Sequence, residues 1–213
     1  MTAHAGQVRR PDLAQPDEPG IGEHGEPAAA VLAALLTLHV HGAAGGVGSI
    51  AVQMARRDGA RVITTVRSRD DVERVRAFSA DEVFLDSDPE LVGKLRAAAP
   101  AGIHRIAEND FGRHIRLDAQ ILAVGGVVSS YFSPHPEPAI PYWELGFADI
   151  ALRLLGSDDF RPEVKAHAAS ELTDALVDGA LRIPIAARLP LEQIAQVHEL
   201  VEGGAGGRVV VEL

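Results

Sequence analysis

His39-Val40-His41-Gly42-Ala43-Ala44-Gly45-Gly46-Val47-Gly48-Ser49 decides how this chain is read. The residues from Thr37 to His41 have the pattern of a short buried strand, the glycines demand a tight turn, and Ser49 to Asp58 forms an amphipathic helix closed by Gly59. The glycines have separable tasks. Gly45 and Gly46 remove β-carbons where backbone must approach a pyrophosphate, and Gly48 lets the helix pack closely on the strand. The helix N-terminus adds unbonded N–H groups and the positive end of a dipole. Glycines of this kind also serve tight turns with no ligand, but strand, turn, helix and a following strand together favour a dinucleotide site.

That following strand is Arg61–Val66, whose Val62, Ile63 and Val66 form a buried β-branched run. Its end selects the dinucleotide. An NAD site usually places a carboxylate about 20 residues beyond the turn. Here the stretch reads Thr64-Thr65-Val66-Arg67-Ser68-Arg69, with two guanidiniums and no acid. Arg67 or Arg69 would grip a 2′-phosphate bidentately and Ser68 would add a hydroxyl, so NADPH is expected over NADH. Solvation of a loop is the other use of exposed arginines.

Outward from this core the alternation continues. Helices are expected over Asp70–Phe78, Pro89–Ala99, Arg113–Leu122, Pro162–Asp178 and Leu191–Glu202. Strands are expected at Glu82–Leu85, Ile103–Ala107, Val127–Tyr131 and Ile150–Leu155, with a last one at Arg208–Leu213. Ser133–Pro141, with four prolines, must be a loop. The pattern predicts an α/β fold: a doubly wound parallel sheet of Rossmann type in the order 3-2-1-4-5-6, behind a short irregular N-terminal leader. The leader is residues 1–26, followed by a short helix over Pro27–Leu36. The doubly wound domain occupies residues 27–182, and residues 183–213 pack elsewhere as strand, helix and strand.

Composition narrows the function. The 213 residues carry 20 Lys+Arg against 30 Asp+Glu, a formal charge of −10, which argues against a nucleic-acid partner. Cysteine is absent, so disulfides and thiolate chemistry are excluded and a reducing cytoplasm is expected. No apolar run is long enough for a membrane span, and no basic-then-apolar start suggests a signal peptide. A short-chain dehydrogenase would need Lys four residues after a Tyr, and Tyr131 and Tyr142 are followed there by His135 and Gly146. A P-loop would need a lysine where Gly48-Ser49 has none. His39 and His41 share a strand face, but without cysteine or a nearby acidic third ligand no metal is expected. His39 in a central strand is awkward, because a buried imidazole needs partners. Glu108, Asn109 and Asp110 follow the fourth strand at the carboxyl edge, where they either touch the cofactor or cap the next helix.

"GAAGGVGS", "IAVQMARRDGARVITTVRS", "SADEVFLD", "LAVGGVVSS" and "PLEQIAQVHELVEGGAGGRVVVEL", in that order, resemble the zinc-independent medium-chain dehydrogenase/reductase superfamily, particularly NADPH:quinone oxidoreductases. The resemblance runs from about Leu38 to Leu213. It implies metal-free hydride transfer from NADPH to a quinone or activated enone. By position, Ala44 to Val47 would hold the pyrophosphate and Arg67 with Ser68 the 2′-phosphate. Tyr131, Phe132 and Ser133 would line the nicotinamide end, with Leu154, Leu155 and Gly156 near it. It also implies a homodimer through the edge strand Ile150–Leu155. Members of this superfamily begin with a GroES-like substrate domain, on which their last helix and strand pack; here the leader stands in its place. No side chain stands out as a general acid, with Tyr131 the only candidate. An NADPH-binding module or sensor without catalysis is the alternative to a reductase.

Overall fold

Five consecutive residues of Arg61–Val66, from Val62 to Val66, are buried, which requires that strand to be covered on both faces. The computed structural model, which describes residues 36–213 apart from 157 and 159, shows how. The expected leader and the helix at Pro27–Leu36 lie outside the described residues, save for Leu36.

Strands β1 (Thr37–Val40), β2 (Arg61–Val66), β3 (Glu82–Leu85), β4 (Ile103–Glu108), β5 (Leu122–Ser130) and β6 (Ala151–Leu154) form one parallel sheet in the order 3-2-1-4-5-6, as expected. The connecting helices are α1 (Gly46–Arg57), α2 (Asp71–Arg76), α3 (Leu91–Ala98), α4 (Phe111–Ile121) and α5 (Tyr142–Phe147). The sheet has two apolar layers. Val40, Val52, Val62, Val66, Val75 and Phe78 pack α1 and α2 on one face. Ile63, Leu95, Ile103, Ile106, Ile115 and Val128 pack α3 and α4 on the other. Burying each such side chain contributes about 1.5–3 kcal/mol.

Three details depart from the pattern read in the sequence. Helix α1 begins at Gly46, three residues earlier than Ser49, because Gly45 takes the extended N-cap conformation and the glycines that follow are already helical. Strand β5 begins at Leu122 rather than Val127. Its register against β4 shifts between Ile103 and Arg105, around a Gly125-Gly126 pair whose first member has φ +74°, so the early part is irregular and lacks clean alternation. The six-residue α5 follows the proline loop directly, its Pro141 N-cap and interior Gly146 hiding the helical signal.

Beyond the sheet, α6 (Pro162–Val177) leads to β7 (Ile185–Pro190), a single 3₁₀ turn, α7 (Ile194–Glu202) and β8 (Arg208–Glu212). β7 and β8 pair in parallel as a separate two-stranded sheet, so Val209 to Val211 have Ala187 to Leu189 as neighbours. The amide of Gln53 ties this segment to α1, donating to the Arg182 carbonyl at 3.0 Å and accepting from the Arg182 N–H at 2.8 Å. No described helix is long and apolar enough to cross a membrane.

Candidate cofactor site

The sheet order reverses between β1, which pairs with β2, and β4. In such sheets the crevice beyond the strand ends at that point is where ligands bind. Here it is a cavity of about 390 Å³ over the turn from Gly42 to Ser49. Its floor is the start of α1. The first helical bond there runs from Ser49 N–H to the Gly45 carbonyl at 3.0 Å, leaving the amides of Gly46, Val47 and Gly48 without an intrahelical partner.

Each glycine of the turn has a distinct geometric reason. Gly42 has φ +62°, and a β-carbon there would lie 2.2 Å from Asn109 Nδ2. A β-carbon at Gly48 would lie 2.4 Å from the Gly42 carbonyl oxygen, so this glycine closes the helix onto the turn. At Gly45 the nearest atom is the Gly42 oxygen, 3.2 Å away, and the rest of that space is open to the cavity.

Of the candidate cofactor residues, Ala44, Gly45, Gly46, Arg67 and Asn109 line the cavity. Gly48 lies behind the lining, and Val47 is more than half exposed beside it. Ser68 and Arg69 are exposed beyond the end of β2, with Ser68 Oγ accepting the Asp70 N–H at 3.2 Å. Tyr131, Phe132, Ser133 and Leu155 form a separate group beyond the carboxyl ends of β5 and β6, where Leu155 N–H donates to the Ser130 carbonyl at 2.8 Å. Burial and the negative charge of Glu108 push the Tyr131 phenol up, so its hydroxyl holds its proton at neutral pH.

Other residues of the cavity were not singled out in the sequence. Asp71 brings a carboxylate to the wall, yet its oxygen pairs with Arg74 Nη2 at 2.5 Å. Ile183, Pro184, Gly204 to Gly207 and Arg208 come from the closing segment. The run Gly203-Gly204-Ala205-Gly206-Gly207 was the available signal, a second glycine-rich turn leading into a strand.

Beneath the turn lies a fully buried polar cluster. His41 Nε2 meets Asp118 Oδ1 at 2.9 Å and Glu108 Oε2 at 3.4 Å, while its Nδ1 faces Thr65 Oγ1 at 3.1 Å. His114 Nδ1 bonds Glu108 Oε1 at 3.0 Å. Burial, opposed by the charge of Glu108, pulls the His41 imidazole down to about 4; burial pushes the Asp118 carboxyl up to about 7. A neutral acid therefore donates to a neutral imidazole across that contact in mildly acidic solution. Burial also lowers His114, but the hydrogen bond and charge of Glu108, with Asp86, outweigh it and the net shift is upward. Glu108, the last residue of β4, is consumed by this cluster, also accepting the Asp110 N–H, so of Glu108, Asn109 and Asp110 only Asn109 reaches the cavity. His39 is buried with both ring nitrogens unpartnered among the described residues.

The sequence pattern that defines the family described as zinc-binding dehydrogenases matches residues 46–174. The chain belongs to that family. Within the zinc-binding dehydrogenases it is similar to quinone oxidoreductases. That of Lama guanicoe is 30% identical over 181 residues, covering 82% of this chain and 53% of the relative. The human one is 27% identical over 177 residues, covering 82% and 54%. A solved mycobacterial quinone oxidoreductase superposes with a TM-score of 0.75 at 27% identity, over 83% of this chain and 56% of that one. A mycobacterial protein solved in complex with NADPH gives 0.72 at 27% identity, over the same shares. The chain thus spans about half the length of the curated relatives it matches.

The family's description raises zinc, so the residues must be tested for it. Among the described residues the group with metal-ligand character is His41, Glu108 and His114. The two imidazoles are stacked, centroids 4.1 Å apart and planes 7° from parallel. An imidazole binds zinc through a lone pair in its ring plane. Two parallel, separated planes share no such point, so this group does not fit the ion.

Proposed function

We propose that this chain binds NADPH in the cavity over Gly42–Ser49 and catalyses reduction of a quinone or activated enone without a metal. The observation that carries the reading is the charge and shape of that cavity. Its floor is a glycine-rich helix N-terminus, and its walls bring Arg67, Arg74 and Arg208 against the single carboxylate of Asp71, in a chain of formal charge −10. Such a site suits a multiply charged anion, and its place at the strand-order reversal suits a dinucleotide. What further supports it is the curated relatives' name, quinone oxidoreductase, and the NADPH in the mycobacterial neighbour.

In this reading the amides at the start of α1 take the diphosphate. Arg67 takes the 2′-phosphate, its position after the last residue of β2 being that of a ribose-binding side chain. Bound there, NADPH supplies a hydride from its nicotinamide. Tyr131 and Phe132, following β5, flank that end; the Tyr131 hydroxyl, protonated at neutral pH, is one proton source, with solvent as the other. Among the described residues the edge strand β6 pairs with β5 alone and exposes Leu154, so a second copy pairing along that edge would cover it, giving a homodimer.

The test is calorimetric titration with NADPH, followed by NADPH oxidation with a panel of quinones and enones. Tight binding with turnover above the uncatalysed rate is expected. Tight binding without turnover would leave the cofactor-binding module, and no binding would remove both.

A further inference from the structure

The buried cluster beneath the turn is connected to the cavity by a chain of hydrogen bonds. Asp118 Oδ1 meets His41 Nε2 at 2.9 Å, His41 Nδ1 faces Thr65 Oγ1 at 3.1 Å, and the Thr65 carbonyl accepts the Ala43 N–H of the glycine-rich turn at 3.2 Å. Gly42 and Asn109, which follow His41 and Glu108 in the chain, line the cavity itself. The cluster is also short of donors. Glu108 Oε2 and Asp118 Oδ2 are buried without a hydrogen-bond partner among the described residues, and the two carboxyl groups lie within hydrogen-bonding reach of each other. Two ionised carboxylates repel and cannot bond one another, whereas a proton on one makes the contact favourable. Water has an approach at one side. His114 Nδ1 bonds Glu108 Oε1 at 3.0 Å, its Nε2 lies 3.6 Å from Asp86 Oδ1, and Asp86, paired with Arg113 at 2.6 Å, keeps 11% of its side chain exposed.

We propose that Asp118 is a proton site linked to the cavity: an anion bound over the Gly42–Ser49 turn draws a proton onto its carboxyl, by way of Asp86, His114 and Glu108. This rests on reading the cavity as a dinucleotide site. The sign follows from electrostatics. Negative charge brought near a fully buried group, where screening is weak, favours the neutral acid over the carboxylate. The groups around Asp118 leave the balance close. His39 of β1 and His41 just after it are held neutral by burial, Glu108 of β4 and Asp86 after β3 bring negative charge, Arg113 and His114 of α4 bring positive charge, and Tyr131 after β5 keeps its proton. Burial, partly offset by the contact with Glu108 and the charge of His114, pushes the Asp118 carboxyl up to about 7, so a modest added potential changes its protonation near neutral pH. The His41 ring follows the change. With Asp118 protonated, His41 Nε2 accepts and Nδ1–H donates to Thr65 Oγ1; with Asp118 ionised, Nε2–H donates and Nδ1 accepts the Thr65 hydroxyl.

The experiment is calorimetry of NADH binding to the full chain from about pH 6 to about pH 8.5, in two buffers of different ionisation enthalpy, which together count the protons taken up. NADH is the probe because the 2′-phosphate of NADPH titrates in the same range. Uptake of a fraction of a proton per NADH is expected near neutral pH, with affinity rising about three- to ten-fold across the range as pH falls. Asp118→Asn, which imitates the neutral acid, should bind with the parent's low-pH affinity throughout and take up no proton. A second measurement needs no variant: the ring nitrogen-15 signals of His41 in the parent should report the exchange of tautomers, with its midpoint at higher pH when NADH is bound. Binding without proton uptake, uptake that persists in Asp118→Asn, or a His41 midpoint that NADH leaves in place would each overturn the proposal. A parent that gives no heat with NADH at any pH removes the dinucleotide reading itself, and the linkage with it, an outcome distinct from the other three.

Discussion

The imidazoles of His41 and His114 lie stacked at 4.1 Å between centroids, and Glu108 touches both, at 3.4 Å and 3.0 Å. Two adjacent rings cannot both be charged at low cost in a buried site, so one proton is shared unequally. The more exposed His114 takes it, next to Glu108 and Asp86, while burial holds His41 neutral. Proton NMR titration of the ring C–H signals should show His114 titrating above its ordinary value and His41 near 4. The reverse order would contradict the assignment.

His39 gives the cluster a cost in stability. Burial, with the nearby His41 and His114, outweighs a backbone contact to Ile63 and holds its imidazole well below the ordinary range, and neither nitrogen makes a hydrogen bond of good geometry among the described residues. Its folded pKa is depressed, so stability is present above about 6.5 and falls as the unfolded chain takes up a proton that the fold refuses. His39→Leu should raise stability at neutral pH by about 1–3 kcal/mol and flatten the decline below about pH 6.5 by one proton. Urea unfolding across that range measures both, and an unchanged slope would count against a neutral, unpaired His39.

Gly45 and Gly48 separate binding from folding. Gly45 has φ −77° and meets only the Gly42 oxygen at 3.2 Å, so Gly45→Val should fold with near-parent Tm while its branched side chain fills the diphosphate position and abolishes NADPH binding. Gly48→Ala sets a β-carbon 2.4 Å from a backbone oxygen and should lose about 1–3 kcal/mol of stability. Thermal unfolding paired with calorimetry reads the contrast. Parent-like affinity in Gly45→Val would displace the phosphate from this turn.

Arg67 lines the cavity at the end of β2, so Arg67→Ala should weaken NADPH about ten-fold more than NADH. Equal losses for the two would show that this guanidinium does not read the 2′-phosphate.

Leu154, on the outer strand, is 73% exposed. Leu154→Lys should convert a dimer to monomers in sedimentation velocity without changing Tm of the monomer, since charge on an open strand edge opposes pairing. A parent protein that sediments as a monomer would refute the dimer.

The doubly wound sheet was legible because its evidence is local. The β-branched run of Val62–Val66, the glycines after β1 and the amphipathic helices are properties of neighbouring residues, and short βα units leave little freedom in how they join. The start of α1 and the early part of β5 were misjudged at glycines, where local preference is weakest and packing chooses the conformation. The guanidinium at the end of β2, Arg67, was legible, but only the fold revealed that Asp71 reaches the same wall and is neutralised there by Arg74.

What the sequence determined by itself was the glycine-rich turn after β1, the order of elements and the absence of cysteine. Tertiary structure alone decided which distant residues meet. Arg208 lies 162 positions after Gly46 yet covers it, and His41, just after β1, converges with Glu108 of β4 and His114 and Asp118 of α4 into one buried cluster. Periodicity along a chain records which face is apolar and is silent about which polar side chain will stand opposite another. That pairing is fixed only when strands take their register and the closing segment docks.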